Sequence, residues 1–257
     1  QWSRFDWVAP LALSVDKQAI WMISNRGHDL KTLVKLDLAN GRETLVHQPN
    51  KVDISGLLFS HRTREPILVY TEPDYPHVEF LDAMLKTDLA PLISAQPQGL
   101  HVTSMDDQDR RLTVEVHTAL GKQFYLFDRA SKQQTLLGES ASMQFAVALA
   151  PVKPIAFQSR DGLTLHGYLT LPNGVTPQNL PTVLLVHGGP WFRDQWGADF
   201  YTNRLAQFLA NRGYAVAQIN YRGSTGYGRK FMEAAIGEFG GKMHSDLLDG
   251  MQWLVGQ

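Results

Sequence analysis

The sequence predicts a two-part chain, an all-β region over 1–150 followed by an α/β region over 151–257. Three observations predict it. Short apolar or alternating runs, separated by turn residues, fill the first part. Turn residues recur there at a near-constant spacing. After residue 150 the pattern changes to hairpin, strand, helix, strand, helix.

In the first part the strand runs include Ala19-Ile20-Trp21-Met22-Ile23, Leu33-Val34-Lys35-Leu36, Ile67-Leu68-Val69-Tyr70, Leu112-Thr113-Val114-Glu115-Val116 and Phe124-Tyr125-Leu126-Phe127. Asn40-Gly41 supplies a hairpin turn. Asp37-Leu38-Ala39 followed by Thr44-Leu45 matches Asp128-Arg129-Ala130 followed by Thr135-Leu136, and Asp37 and Asp128 stand 91 residues apart. Asp16 and Asp107 are also 91 apart, with Ser60 lying 46 residues after Ser14 and 44 before Ser104. Asp or Ser at such positions accepts hydrogen bonds from nearby backbone N–H groups. Units of about 45 residues fit β-propeller blades. A propeller closes with about 4–8 blades, so three would be part of one. Hairpins with coincidental turn chemistry are the alternative. The middle unit departs from the pattern: Glu79 to Leu92 reads as a helix with Phe80, Met84 and Leu85 on one face, an insertion on the blade's outer edge.

Ala150-Pro151-Val152-Lys153-Pro154 reads as a linker, since two prolines favour extended backbone. Ile155 and Phe157 then alternate with polar residues. Asp161-Gly162 makes a tight turn, and Leu163, Leu165, Leu169 and Leu171 line one face of the returning strand. Val183-Leu184-Leu185-Val186 is apolar throughout, which predicts a strand buried on both faces. Tyr201, Leu205, Phe208 and Leu209 form one helical stripe, and Gly213 follows as a C-terminal stop. Tyr214 to Ile219 is the next buried strand. Leu247, Leu248, Met251, Leu254 and Val255 form a second stripe, with Ser245 as its N-cap and Asp246 and Asp249 near the positive end of the dipole. The alternation predicts a mostly parallel sheet.

Composition excludes several classes. A net charge of −1 gives no field that would favour nucleic acid or an anionic membrane. No run of about 18 apolar residues is present, so no membrane span is expected. No signal-peptide pattern is visible, though the chain starts at Gln1 rather than Met. A soluble protein is expected, with cytoplasm and periplasm both open. The absence of cysteine rules out disulfides, a thiol nucleophile and zinc–thiolate sites. Neither a phosphate-binding loop, nor a dinucleotide fingerprint, nor His-Glu-x-x-His occurs, and His and Asp lack metal-ligand spacing. No cofactor and no metal are expected. Asp106-Asp107-Gln108-Asp109-Arg110-Arg111 reads as a solvated turn.

The motifs that carry chemistry follow the two strands of the second part. His187-Gly188-Gly189-Pro190 comes directly after the first. Glycines there let backbone N–H groups face open space, as a tetrahedral acyl intermediate requires of its oxyanion donors. An ordinary Gly-rich turn would look the same. Asn220-Tyr221-Arg222-Gly223-Ser224-Thr225-Gly226-Tyr227-Gly228 follows the second strand, and Gly237-Glu238-Phe239-Gly240-Gly241 precedes the last helix. At this spacing the motifs resemble the first half of the catalytic domain of the prolyl oligopeptidase family, most closely its acylaminoacyl-peptidase and dipeptidyl-peptidase-like branches.

The resemblance implies a partial β-propeller of about three blades over 1–150 and the N-terminal half of an α/β-hydrolase domain over 151–257. It implies a serine peptidase that cleaves short peptides through an acyl-enzyme, with the propeller as a size filter. The backbone N–H of Gly189 would be an oxyanion donor, and His187 would support its loop or simply bond backbone at a strand end. Asn220 and Arg222 would brace the neighbouring loop or act as plain turn residues. The partners implied are a peptide substrate and the remainder of the same polypeptide, with homo-oligomerisation left open. One departure is large. Such enzymes need Gly-x-Ser-x-Gly, then Asp, then His, and the chain contains no Gly-x-Ser-x-Gly. The triad is expected beyond Gln257, so the chain alone should be inactive. Ser224 sits among glycines but in the wrong loop for the nucleophile. Two other readings stay open: a non-catalytic peptide-binding propeller module, and a small-ester esterase.

Overall fold

The computed structural model describes residues 5–95, 99–118, 120–145, 147–197 and 201–257. The chain forms two compact units. Among the described residues the first takes in 5–118, 123–139 and 226–229, and the second takes in the rest.

The first unit holds three open antiparallel sheets. Strands β1 (Val8–Leu13), β2 (Ala19–Ser24), β3 (Thr32–Asp37) and β4 (Glu43–His47) form one in sequence order. β5 (Ile54–Phe59), β6 (Pro66–Thr71) and β7 (His77–Phe80) form the next. β8 (Leu100–Met105), β9 (Arg111–Thr118), β10 (Gly121–Asp128) and β11 (Gln134–Glu139) form the third.

The repeat is visible as hydrogen bonds. The turn opening each sheet is closed by the same i to i+5 backbone bond: Ser14 N to Ala19 O at 2.9 Å, Ser60 N to Glu65 O at 2.9 Å and Asp106 N to Arg111 O at 3.0 Å. In each turn the opening side chain also accepts a backbone N–H, from Ala19 at 3.0 Å, Thr63 at 2.9 Å and Arg110 at 2.7 Å. The equivalent positions are thus Ser14, Ser60 and Asp106, evenly spaced by 46 residues. Ser104, which the sequence suggested for the third unit, lies within β8 and bonds Thr113 instead. The second turn type recurs as expected. Asp37 and Asp128 accept Ala39 N–H at 2.8 Å and Ala130 N–H at 2.9 Å.

Two apolar clusters fill the first unit. Trp21, Ile23, Leu33, Ile54 and Val69 join the first two sheets. Leu68, Leu85, Leu89, Leu112, Val114 and Phe127 lie in the larger cluster. Helix α1 (Ala83–Ala95) contributes Leu85, Leu89 and Leu92, while Met84 is exposed. It starts later than the sequence suggested, because Asp82 caps it by accepting Leu85 N–H at 2.9 Å. Phe80 belongs instead to β7, opposite Leu68.

The second unit carries one four-stranded sheet, in the order β12 (Val152–Gln158), β13 (Thr164–Thr170), β15 (Ala215–Asn220), β14 (Thr182–Leu184). Only the β14/β15 pairing is parallel, so the expected mostly parallel sheet is corrected: the β12/β13 hairpin joins β15 antiparallel. β14 lies at the edge of this sheet. Val183 and Leu184 are therefore half-buried and Val186 is exposed, unlike the expected fully covered strand. β15 is buried throughout.

The helices of this unit bury unexpected faces. α2 (Tyr201–Ala210) buries Thr202, Asn203, Ala206, Gln207 and Ala210, leaving Tyr201, Leu205 and Phe208 exposed. Two polar anchors select that face. Gln207 brackets the backbone of Ala150, accepting its N–H and donating to its carbonyl, both at 2.7 Å. Asn203 donates to the carbonyls of Gln195 and Gly197. α4 (Lys242–Val255) follows the short α3 (Arg229–Glu233) and buries Met243, Asp246 and Gly250. Its N-cap is Gly241, not Ser245, whose hydroxyl lies inside the helix and donates back to Gly241 O at 3.4 Å. Leu248 and Val255 are exposed. Among the described residues no helix is long and apolar enough to cross a membrane.

Candidate functional site

β14 and β15 are parallel neighbours, so the chain leaves both strands at the same edge of the sheet. In open α/β sheets that carboxyl edge is where ligands bind. The His187-Gly188-Gly189-Pro190 loop follows β14, and the loop from Tyr221 to Thr225 follows β15. Thr225 N–H donates to Phe192 O at 3.0 Å, which joins the two loops directly. Gly223 adopts φ +95°, and a Cβ there would fall 2.7 Å from Ala235 Cβ and 3.3 Å from Pro190 Cβ, so only glycine permits this approach.

Gly189 is exposed with φ +133°, a conformation that L side chains rarely adopt. Among the described residues none accepts a hydrogen bond from its N–H. His187 is buried at 3% exposure. Its Nδ1 lies 2.9 Å from Gly188 O and its Nε2 lies 3.0 Å from Ser224 Oγ. The imidazole stacks on Tyr221 with centroids 4.6 Å apart and planes 13° from parallel. The Tyr221 hydroxyl donates to His187 O at 2.9 Å. Burial raises the Tyr221 phenol above its ordinary value, and the nearby Asp194 carboxyl adds to this.

Asn220 ends β15 and grips the backbone of Asp194: it accepts that residue's N–H at 2.8 Å and donates to its carbonyl at 3.1 Å. The Asp194 carboxyl is fully buried. One oxygen accepts the Thr202 hydroxyl at 2.6 Å, while Oδ2 has no partner among the described residues. Burial pushes this carboxyl above the ordinary carboxylate value.

Arg222 is bound to two carboxylates. Its Nε and Nη2 donate to Asp246 at 2.8 and 2.7 Å, and its Nη1 and Nη2 to Asp161 at 2.9 and 2.8 Å. Asp246 also accepts the Arg222 backbone N–H at 2.9 Å. The hydrogen bonds to Asp246, then those to Asp161, raise the guanidinium above its ordinary value. The Arg222 bonds, then the Ser159 hydroxyl, hold Asp161 well below the usual carboxylate range.

The structure therefore gathers His187, Gly189, Asn220 and Arg222 at one sheet edge. Asp246 and Asp249, read from sequence as helix-start residues, are ion-pair partners of Arg222 and Arg160 instead. Sequence reasoning missed Asp161 and Asp246 as the seat of Arg222, and Asp194 beneath Asn220. An arginine directly after an apolar strand signals a need for carboxylates, but their positions are 61 and 24 residues away. Ser224 is fully buried and donates to Tyr221 O at 2.7 Å, a poor setting for a nucleophile. Among the described residues no group of three His, Asp or Glu could hold a metal ion.

Residues 200–257 match the sequence profile described as "Prolyl oligopeptidase family". "Dipeptidyl aminopeptidase BIII" of Pseudoxanthomonas mexicana is 34% identical over 272 residues, covering 100% of this chain and 39% of that protein. "Dipeptidyl peptidase family member 6" of Caenorhabditis elegans is 28% identical over 96% of this chain and 36% of its own length. The chain thus spans about two fifths of the length of these curated relatives. Among solved structures, a Mycobacterium tuberculosis puromycin-hydrolyzing peptidase superposes with a TM-score of 0.68, covering 97% of this chain and 39% of that one at 18% identity. At that identity the likeness speaks for the fold alone. With the family profile matched over 200–257 and a relative aligned along the entire sequence, the chain belongs to the prolyl oligopeptidase family.

Proposed function

We propose that residues 1–150 are three blades of a β-propeller and that 151–257 are the first half of an α/β-hydrolase domain, together part of a serine peptidase that cleaves short peptides. The reading is supported by three sheets with turns repeating every 46 residues and by two loops that leave parallel strands at one edge. One observation carries the chemistry: Gly189 is exposed, and its N–H is unbonded among the described residues.

In this reading the Gly189 N–H donates to the oxyanion that forms when a serine attacks the scissile carbonyl. His187 holds the loop, and Asn220 and Arg222 brace the loop beside it. Neither metal nor organic cofactor takes part. The 257 residues contain no nucleophile elbow, so the serine, aspartate and histidine would come from other polypeptide, and these residues alone would be catalytically silent. A fluorophosphonate should label the whole enzyme but not the 257-residue chain.

The deciding experiment is Gly189→Ala in the whole enzyme, assayed with dipeptidyl anilides. At φ +133°, with the new Cβ 2.8 Å from Trp191 N, the peptide must shift. Loss of one oxyanion donor should lower kcat by roughly 100-fold with KM little changed. Retention of kcat within threefold would refute the assignment.

A further inference from the structure

We propose that the open edge of β7 is a docking site for an extended acidic peptide, which binds there as the fourth strand of its sheet. The site lies wholly within the first unit and does not depend on the oxyanion role of Gly189.

The three sheets of that unit are unequal. The first and third have four strands, and in each the last strand pairs antiparallel with the one before it. The middle sheet stops at β7. After Phe80 the chain turns into α1, started by the Asp82 cap, where the other two sheets make a hairpin.

Register shows what β7 leaves open. Leu81 N–H donates to Ile67 O at 2.9 Å, in step with the pairing of Phe80 and Leu68. In an antiparallel pair the residues that bond their partner strand recur at every second position. Glu79 and His77 therefore face β6, while the N–H and C=O groups of Val78 and Phe80 point away from it. Among the described residues no strand lies beside those groups. An edge of this kind is a template for a further strand.

The edge opens on a groove of about 570 Å³. Val78 and Phe80 line it together with Ile93 of α1 and Leu100 of β8, and all but Leu100 are partly exposed. Pro76 and Gly99 close one end. Pro76 has no N–H to offer, and a Cβ on Gly99 would lie 2.6 Å from the Pro76 carbonyl oxygen. Toward the other end, near the start of α1, stands Lys86. It is exposed and has no carboxylate partner among the described residues.

Charge and register select the occupant. A strand antiparallel to β7, as in the other two sheets, sets two residues opposite Phe80 and Val78, with side chains on the same apolar face. Its N-terminal end lies toward Lys86, so a carboxylate belongs there. Two open residues are few for a contact between folded chains, which in stable cases buries about 1,200–2,000 Å². A short peptide needs no more than this edge and groove.

The probe is the pentapeptide Glu-Val-Thr-Val-Ser, acetylated at its N-terminus and carrying fluorescein at its C-terminus. Fluorescence anisotropy with the whole enzyme should show saturable binding below about 1 mM. Methylating both valine nitrogens removes the donors that face β7 and should weaken binding roughly tenfold or more. Methylating the threonine nitrogen, which faces away, should change it less than about twofold. Lys86→Glu should weaken binding roughly threefold, and lysine in place of the peptide's glutamate should recover it. Hydrogen exchange read by mass spectrometry should slow at the Val78 and Phe80 amides when the peptide binds.

Absence of saturable binding overturns the proposal, as does binding that leaves those two amides unprotected. Equal loss from methylation at either set of nitrogens overturns the strand pairing. Unchanged affinity in Lys86→Glu overturns the choice of an acidic peptide. A concentration-dependent dimer that protects the same two amides without peptide would make a second copy the occupant, and the proposal would fall.

Discussion

Arg222 and Asp246 are joined by three hydrogen bonds of 2.7 to 2.9 Å, two from the guanidinium and one from the backbone N–H of the same arginine. Both residues are buried, at 4% and 0% exposure. A carboxylate in that position neutralises the guanidinium and fixes the start of the loop after β15. Removing Arg222 strands the Asp246 charge out of water, whereas Arg222 keeps Asp161 when Asp246 is removed. Arg222→Met is therefore expected to lower the unfolding free energy by about 3 kcal/mol or more, and Asp246→Ala by less. The double change Arg222→Met with Asp246→Leu should cost less than Arg222→Met alone. Urea denaturation of all four proteins checks both statements.

Acid should act on the second carboxylate of that arginine. Asp161 is held below its ordinary value in the folded protein, first by Arg222 and then by Ser159. Its contribution to stability is complete above the unfolded-state value near 3.8 and is lost as pH falls toward the lower folded value. Asp249 shifts the same way, chiefly through Arg160. Stability should thus fall below about pH 4, and Asp161→Asn should make that fall shallower. Thermal unfolding between pH 2.5 and 7 measures it.

Asp194 has the opposite sign. Burial raises its folded value, so ionisation opposes folding, and the stability it offers below about pH 3.8 is lost as pH rises through the raised value. Asn at this position keeps an oxygen for the Thr202 hydroxyl and removes the charge. Asp194→Asn should be more stable than the wild type by roughly 1 kcal/mol at pH 7, with the gap closing below about pH 4. A variant less stable at pH 7 would contradict this account.

Gly250 lies within α4, where alanine would ordinarily stabilise by about 1 kcal/mol. A Cβ there would sit 2.1 Å from Ile219 Cδ1 and 2.8 Å from Phe157 Cζ. Overpacking typically costs about 1–3 kcal/mol, so the clash should win. Gly250→Ala is expected to lower the melting temperature by several degrees.

Local chemistry was legible in the sequence. Asp37, Asp128 and Gly213 do what their residue types suggested, because each bond spans five residues or fewer. The Gly-rich motifs after two apolar strands were legible for the same reason. The faces of α2 and α4 were not. Their apolar stripes suggested burial of Leu205 and Phe208, and of Leu248, yet the buried sides carry Asn203, Gln207, Asp246 and Gly250.

By itself the sequence determined where strands turn, where helices stop and which loops carry glycine, since steric limits and short-range hydrogen bonds decide those within a few residues. Tertiary structure alone decided which helix face meets the sheet and which carboxylates seat Arg222. It also brought the Ser224 hydroxyl within 3.0 Å of His187 Nε2, 37 residues away in the chain. Such choices depend on buried polar groups finding partners in three dimensions, and a buried group left without one is costly enough to override an apolar stripe.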